Sequence, residues 1–226
     1  MRAGELRAAL RGGRFLLPEV TIAAGLVVCS WLGLFPFGGT PVLVAFGALS
    51  LWLRGEGPRG VGLRRDPGWW RIVLIGVTAG LGYQFLSLYL VEPLTARVVG
   101  RLPDVSMFAP LKSNVRLVVL YVAISWTLAG FGEEFVYRGY LLNRIAQLLG
   151  GRPRAWLVSL GATTVVFGLG HVYQGASGVI DTALFGFLFG VLYLLAGRNL
   201  WVAVIAHGVA DTTAFVLLFF GRYPGV

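Results

Sequence analysis

Charged residues are scarce in this chain of 226 residues: they make up 13% of it, whereas 57% of the residues are hydrophobic. An ordinary soluble domain carries about 25% charged residues, so roughly half of the usual surface charge is missing. A soluble core cannot account for this shortage, but a bilayer can, because lipid replaces water around most of the surface. The composition therefore predicts an integral membrane protein that lies in a lipid bilayer.

Cysteine and lysine are almost absent, and Cys29 and Lys112 are the single members of their types. One cysteine excludes a disulfide framework and a thiolate metal site. The net charge of +9 comes almost entirely from arginine, which falls in short clusters between apolar runs. This distribution is typical of membrane-protein loops and argues against nucleic acid as a partner.

Apolar runs long enough to cross a bilayer, which takes about 17–25 residues, recur along the whole chain. Seven spans are predicted, the second of them short, at 16–35, 40–54, 70–91, 115–136, 155–173, 178–197 and 200–220. Loops are predicted at 55–68 and at 92–114, and the second is polar enough to contain a short interfacial helix. We therefore expect an all-α, polytopic membrane helix bundle with about seven transmembrane helices (six to eight).

Arginine is concentrated in every second loop, which predicts the orientation of the chain. The clusters lie before span one and after spans two, four and six: Arg2 to Arg14, Arg54 to Arg71, Arg138 to Arg154, and Arg198. The positive-inside rule places these loops, and the N-terminus with them, in the cytoplasm. The exception on the other side is the loop 92–116, which carries four basic residues. We expect a multi-pass protein of a bacterial cell membrane.

The acidic residues of the second half of the chain are few, and both histidines of the chain lie in that half. Beyond Asp104 the chain contains four acidic residues and the only two histidines: Glu133, Glu134, Asp181, Asp211, His171 and His207. Ionisable groups are costly inside a bilayer, so a functional site is the first hypothesis for this set. The alternative is a set of polar ties that only holds the helices together. Asp181, near a span end, is expected to cap a helix or to lie in solvent.

Helix geometry allows these side chains to meet. Glu133 precedes the turn at Arg152 by nineteen residues and His171 follows it by nineteen, so an antiparallel pair would place them at one depth. His207 and Asp211 are one helical turn apart on the last span and share a face. They reach the same depth only if the long fourth helix extends beyond the bilayer, as its length predicts.

The adjacent Glu133 and Glu134 are expected to differ in role. Glu134 and Arg138 have the i,i+4 spacing of a salt bridge, which would let both charges be buried. Glu133 points about 100° away on an α-helix and has no such partner on its own helix. We therefore predict Glu133 as a catalytic base, with Glu134 and Arg138 as its structural support.

Three short motifs follow one another between residues 131 and 211. GEEFVYRG fits EExxxR, FGLGH (Phe167 to His171) fits FxxxH, and HGVAD (His207 to Asp211) fits Hxxx(N/D). Together they resemble the CPBP family, the type II CAAX prenyl proteases and their bacterial relatives, also called Abi proteins. Each motif alone is weak, whereas the ordered set is specific. The upstream spans are similar to the family only in hydropathy.

The resemblance implies an intramembrane endopeptidase that hydrolyses a peptide bond of a membrane-associated peptide or protein. Glu133 would activate water with His171, and His207 and Asp211 would stabilise the oxyanion. Phe167 would pack beside the site. Asp211 stands where the eukaryotic-type members have asparagine. Because an ionised carboxylate repels an oxyanion, Asp211 would have to be protonated or orient His207 instead.

The sequence leaves the cofactor open. One glutamate and two histidines, here Glu133, His171 and His207, are a common catalytic zinc set. The family has been described both as metalloproteases and as metal-independent glutamate proteases. No HExxH motif is present, and the ligands would come from different helices, so the alternatives are a divalent cation such as zinc or none.

Two other classes of function compete with a protease. A proteolytically silent membrane protein, for bacteriocin immunity or scaffolding, would not need the motif residues, all of which are present. A transporter commonly shows repeated halves, and no internal repeat is visible. We therefore expect a protease in one membrane domain, 1–226. Its N-terminal spans and loops would occupy 1–114 and its catalytic helix bundle 115–220.

Overall fold

Helices make up nearly all of the regular structure in the computed structural model, which describes residues 13–36, 38–65 and 68–224. Seven long helices follow one another in these ranges, and no strand occurs there. They are α1 Leu16–Trp31, α2 Thr40–Arg54, α3 Trp69–Val99, α4 Val115–Leu148, α5 Pro153–Leu169, α6 Val172–Leu195 and α7 Leu200–Phe219. The predicted all-α bundle of about seven helices is confirmed.

Four of the helices, α3, α4, α6 and α7, are long and apolar enough to cross a membrane. The other three are apolar but shorter, and α2 with 15 residues is the shortest, as expected of the second segment. The 34 residues of α4 exceed what a bilayer needs. At 1.5 Å per residue they cover about 50 Å, against a hydrocarbon core of about 30 Å. The fourth helix is therefore long enough for the predicted extension.

The loop predicted at 92–114 begins later than expected. α3 continues through a π-helical turn, Ser87–Val91, into Glu92–Val99 and ends at Gly100, whose φ is 88°. A short 3₁₀-helix, Ser106–Leu111, lies in the remaining loop. The polar Glu92 is buried and accepts hydrogen bonds from Ser87 and Tyr223, so its polarity does not mark a helix end.

α7 lies at the centre of the bundle and packs closely on α3. Gly76 and Gly80 of α3 allow this approach, since a Cβ added at Gly80 would come within 2.3 Å of the Ala206 carbonyl oxygen. A Cβ at Gly76 would come within 2.8 Å of Ile205. Small residues at this spacing let two membrane helices touch along their backbones. The contact buries α7 together with the polar side chain of His207.

α5 and α6 form a second close pair. The Gly186 and Gly190 positions of α6 face Phe167 and Leu160 of α5. A Cβ at Gly190 would come within 2.3 Å of Leu160. All seven helices contribute buried side chains to one hydrophobic core. The N-terminal and C-terminal spans therefore share a core.

The connections alternate between the two ends of the bundle. The segments 55–68, 149–152 and 196–199 meet at one end, which carries most of the arginines and is called here the arginine-rich end. The segments 100–114 and 170–174 lie at the other end. Arg2, Arg7 and Arg11, on which the predicted orientation partly depends, lie outside the described residues.

A network of buried ions ties α1 and α2 to α4 on the side of the arginine-rich end. The Glu19 carboxylate accepts hydrogen bonds from Arg54 at 2.8 Å, Tyr140 at 2.7 Å and Arg144 at 2.9 Å. Arg144 also pairs with Glu56 at 3.0 Å. We call Glu19, Arg54, Glu56 and Arg144 the ion network. It fastens the two short N-terminal helices to the longest helix of the bundle.

Candidate active site

The middle of α4 is a wide π-helical stretch instead of the regular α-helix expected from its sequence. It covers Ser125–Glu133 and Phe135–Leu141, with Glu134 between them. π-Helical turns are rare and frequently occur at functional sites. Glycines let neighbouring helices approach here, since a Cβ added at Gly132 would come within 2.7 Å of Thr40 of α2. The motif glutamates thus lie on the least regular part of the longest helix.

The predicted salt bridge between Glu134 and Arg138 is present. Arg138 Nη1 donates to Glu134 Oε1 at 2.9 Å, and their side chains are 2% and 0% exposed. Arg138 Nη2 also donates to the carbonyl oxygen of Gly186 on α6 at 3.1 Å. Its guanidinium lies 4.5 Å from the ring centroid of Phe167 on α5, a cation–π contact. One buried cation therefore joins α4, α5 and α6 beside the motif residues.

Glu134 also binds His207, a contact that the sequence does not predict. His207 is buried on α7, and its Nδ1 lies 2.8 Å from Glu134 Oε1. Because an ionised carboxylate can only accept, Nδ1 carries the hydrogen of this bond. The bond fixes the orientation of the ring and directs Nε2 towards Asp211, whose Oδ2 lies 3.6 Å away.

His171 lies just after the C-terminal end of α5. Its Nδ1 is 3.0 Å from the carbonyl oxygen of Phe167, one turn earlier. A carbonyl oxygen only accepts, so Nδ1 donates this bond and, in the neutral ring, Nε2 keeps its lone pair. The Phe167 ring, 2% exposed, lies 5.1 Å from the His171 ring and 6.4 Å from the His207 ring. Phe167 therefore packs beside both histidines, as predicted.

Asp211 lies one turn beyond His207 on α7. Ser125 of α4 donates a hydrogen bond of 2.6 Å to Asp211 Oδ2. Asp211 thus accepts one hydrogen bond from α4 through Oδ2. Ser125 was not singled out in the sequence, because a serine within an apolar helix gives no signal of its own.

The predicted catalytic residues line a single cavity of about 290 Å³, which we call the main cavity. Its wall contains Glu133, His171, His207 and Asp211 together with parts of α3, α6 and the loop at the end opposite the arginine-rich end. No lysine or arginine among the described residues lines it. Within the same ranges, no protein group donates a hydrogen bond to the Glu133 carboxylate, which is left to bind water or a substrate.

Asp181 belongs to the wall of the main cavity, so the expectation of a helix cap or a solvated residue was wrong. It lies well inside α6 and accepts hydrogen bonds from Tyr83 at 2.9 Å and Ser87 at 3.0 Å, both on α3. Ser87 also donates to the buried Glu92 at 3.2 Å. The partners lie more than 90 residues away in the sequence, so spacing along the chain could not reveal them.

The described side chains do not fit a zinc centre. No group of three histidine, cysteine, aspartate or glutamate side chains in this part of the chain is arranged to hold a metal ion. His207 and His171 each hold Nδ1 in a hydrogen bond, so only Nε2 of each ring is left to face a ligand. Because no three-ligand group is formed by the described side chains, the reaction proposed for this site uses protein groups and water.

Comparison with known families adds an independent observation. The family described as type II CAAX prenyl endopeptidase Rce1-like matches residues 115–213. No curated protein and no solved structure matches the chain at a significant level. The matched segment begins with α4, ends within α7 and contains all four predicted catalytic residues. The family match implies a protease. The part of the chain that carries the motifs therefore matches the Rce1-like type II CAAX prenyl endopeptidase family, the family that those motifs predicted.

Proposed function

We propose that the protein is an intramembrane endopeptidase of the glutamate type, which hydrolyses a peptide bond of a membrane-associated peptide or protein. The observation that carries the proposal is the convergence of Glu133, His171, His207 and Asp211, from three separate motifs, on one cavity. Polar ties that only hold helices together would pair with one another and leave no space between them. The family match supports the reaction class.

Glu133 is the general base of the proposed reaction. Its carboxylate accepts one hydrogen bond from a water molecule, and the Nε2 lone pair of His171 accepts the second. Held at both hydrogens, the water directs its oxygen at the carbonyl carbon of the substrate. As the new C–O bond forms, an O–H bond of the water breaks and Glu133 takes the proton. The proton then passes to the leaving nitrogen when the C–N bond breaks.

His207 stabilises the negative oxygen of the intermediate. Two carboxylates flank its ring, at 2.8 Å and 3.6 Å, and in the proposed reaction the ring carries a proton on each nitrogen. Nδ1–H donates to Glu134, and Nε2–H donates to the oxyanion in a site shielded from bulk water. Asp211, held by Ser125, orients the ring. This assignment selects the orienting role from the two alternatives that the motif leaves for Asp211.

The substrate class follows from the walls of the main cavity. Phe215 and Leu218 lie one and two turns beyond Asp211 on α7 and, with Phe108 of the loop, give one part of the wall an apolar surface. Burial of apolar side chains there would stabilise a bound apolar segment. The name of the matched family refers to CAAX prenyl endopeptidases. We carry over peptide hydrolysis and propose an apolar, membrane-associated peptide as the substrate.

The orientation proposed from the arginines places the N-terminus in the cytoplasm of a bacterial cell. The loop residues of the main cavity, Pro103, Val105 and Phe108, lie at the opposite end, so the site would open away from the cytoplasm. An impermeant thiol reagent added to intact cells should label a Ser106→Cys variant made in a Cys29→Ser background. Labelling only after the cells are broken would reverse the orientation.

The proposed reaction is tested by incubating the purified protein, in lipid, with a quenched peptide library. Wild type and Glu133→Gln are compared at equal amounts of folded protein. Cleavage by wild type alone supports the proposal. Equal cleavage by both proteins would remove Glu133 as the base. If neither protein cleaves, the silent membrane protein for immunity or scaffolding becomes the better hypothesis.

A further inference from the structure

A second, smaller cavity adjoins the predicted catalytic base. Its volume is about 120 Å³, and we call it the side cavity. It lies where the α1–α2 connection meets α4 and the end of α5, and its wall includes Ser30, Thr40 and Tyr137. Glu133, His171 and Tyr173 belong to the walls of both cavities. The predicted catalytic pair Glu133 and His171 therefore lies between the main and the side cavity, together with Tyr173.

The two cavities differ in which catalytic residues they reach. The main cavity is lined by Glu133 and His171 and also by His207 and Asp211. The side cavity is lined by Glu133 and His171 and by neither of the other two. In the proposed reaction the first pair binds water and the second serves the oxyanion. The side cavity thus contacts only the groups that handle water.

The lining of the side cavity is polar and lacks protein partners. Within the described residues, no hydrogen bond involves the side chains of Ser30, Trp31, Thr40 or Tyr137. Tyr137 is only 9% exposed, yet its hydroxyl is not completely enclosed by protein. Buried polar groups are almost always hydrogen-bonded to protein or to ordered water. Tyr137 is buried, Ser30 and Thr40 are partly buried and Trp31 is exposed, so water in the side cavity would supply the partners that the three hydroxyl groups lack.

The size of the side cavity also fits water. A water molecule occupies about 30 Å³ in the liquid, so 120 Å³ accommodates about four molecules. A peptide in the main cavity would displace the water there and leave the base without a reactant. An intramembrane hydrolase needs a supply that its substrate does not block. The side cavity reaches Glu133 and His171 without being lined by His207 or Asp211.

We propose that the side cavity stores the hydrolytic water and delivers it to Glu133 while the substrate fills the main cavity. This inference rests on the proposed peptidase function. Each turnover consumes one water molecule, whose oxygen enters the new carboxyl group and whose proton passes through Glu133 to the leaving amine. Water from the side cavity then replaces it. Ser30, Thr40 and Tyr137 keep this water ordered through their hydroxyl groups.

The test fills the side cavity without touching the catalytic residues. Ser30→Leu places three carbons where a hydroxyl was, and Thr40→Leu fills the cavity from α2, in case the first variant folds poorly. Thr21→Leu, an exposed position on α1, is the matched control and should behave like wild type. For both filled variants we expect kcat to fall at least about tenfold, with KM within about twofold. Thermal unfolding in the same lipid checks that the variants are folded.

Each other outcome contradicts the water store. A raised KM or a changed cleavage position would mean that the side cavity holds part of the substrate. Unchanged kinetics in both filled variants would mean that water reaches Glu133 by another path. The proposed function fails separately, if wild type does not cleave or Glu133→Gln cleaves equally well. Ser30→Ala, which removes the hydroxyl without filling the space, should cost much less than Ser30→Leu.

Discussion

The protein buries ionisable side chains in two regions that differ in their balance of charge. The ion network pairs two carboxylates, Glu19 and Glu56, with two arginines, Arg54 and Arg144. The wall of the main cavity instead contains three carboxylates, Glu133, Asp181 and Asp211, and two histidines. None of the described residues that line it is a lysine or an arginine.

The difference separates a structural from a functional use of buried charge. An ion pair that is well hydrogen-bonded repays most of the cost of leaving water, and nothing else needs to bind there. Carboxylates without cations remain costly unless water, a proton or a substrate compensates them. The main cavity has room for such partners, while the ion network is filled by its own side chains. Charge balance thus supports the main cavity as the proposed site.

The largest contrast is expected between two glutamine variants, one in each region. Glu133→Gln should lower peptide cleavage by about 10³-fold, because the amide cannot take a proton from water. It should leave folding intact, since no protein group donates to this carboxylate in the described ranges. Cleavage rate per folded molecule and thermal unfolding in lipid measure the two effects. Loss of folding in this variant would contradict the distinction between a functional Glu133 and a structural ion network.

The matched variant Glu19→Gln should show the reverse. It leaves Arg54 and Arg144 without their shared carboxylate in a buried position, which costs about 3 kcal/mol. The folded yield and the unfolding temperature should therefore drop. The cleavage rate per folded molecule should stay close to that of wild type. A comparable catalytic loss here would show that the ion network acts on the site.

Glu134 forms a buried salt bridge and also binds His207, so its replacement should lower both the stability of the fold and the cleavage rate. Glu134→Gln leaves the buried Arg138 without a charged partner, which destabilises the fold by about 3–5 kcal/mol. The double variant Glu134→Met, Arg138→Met lacks both charges and should regain much of that stability. Activity should stay about 100-fold low, because His207 Nδ1 then lacks its acceptor.

Unfolding temperature and cleavage rate are compared for the single and the double variant. Recovery of stability without recovery of activity would separate the salt bridge from the orientation of His207. If activity returned together with stability, Glu134 would be a purely structural residue, as the sequence alone suggested. The control is Arg138→Met alone, which should be as unstable as Glu134→Gln.

The sequence predicts those features that depend on local pattern. Hydropathy locates the seven helices, and the i,i+4 spacing of Glu134 and Arg138 predicts their salt bridge. The ordered motifs predict the residues of the proposed site and the family that matches residues 115–213. All of these signals lie within a few residues or within one helix, where the spacing of side chains is fixed by helix geometry.

What the sequence misses depends on partners from distant helices. Glu19 binds Arg144, which is 125 residues away, and Asp181 binds Tyr83, which is 98 residues away. The π-helical form of α4 was also not predicted, since its apolar pattern does not distinguish a π-helix from an α-helix. Polarity predicted a loop from residue 92, whereas Glu92 is buried and hydrogen-bonded within α3. In the ion network and at Asp181, contacts between distant helices decide the arrangement.

Of the treatments considered, a chelator is expected to change the cleavage rate least. It also tests most directly whether the main cavity and the ion network differ in charge balance. A tightly bound divalent cation would supply the positive charge that the main cavity lacks and would balance it as the arginines balance the ion network. The described side chains offer no three-ligand group for such an ion. We therefore expect cleavage to persist after dialysis against a chelator, and the purified protein to contain no stoichiometric zinc by elemental analysis.

Loss of activity that returns on adding zinc, with one metal per chain, would overturn direct activation of water by Glu133. It would also assign the uncompensated carboxylates a ligand role, since metal-bound water loses its proton far more readily than free water. Persistence of activity would leave Glu133 and His171 as the groups that activate water, and the excess of negative charge in the main cavity as the intrinsic difference between the site and the ion network.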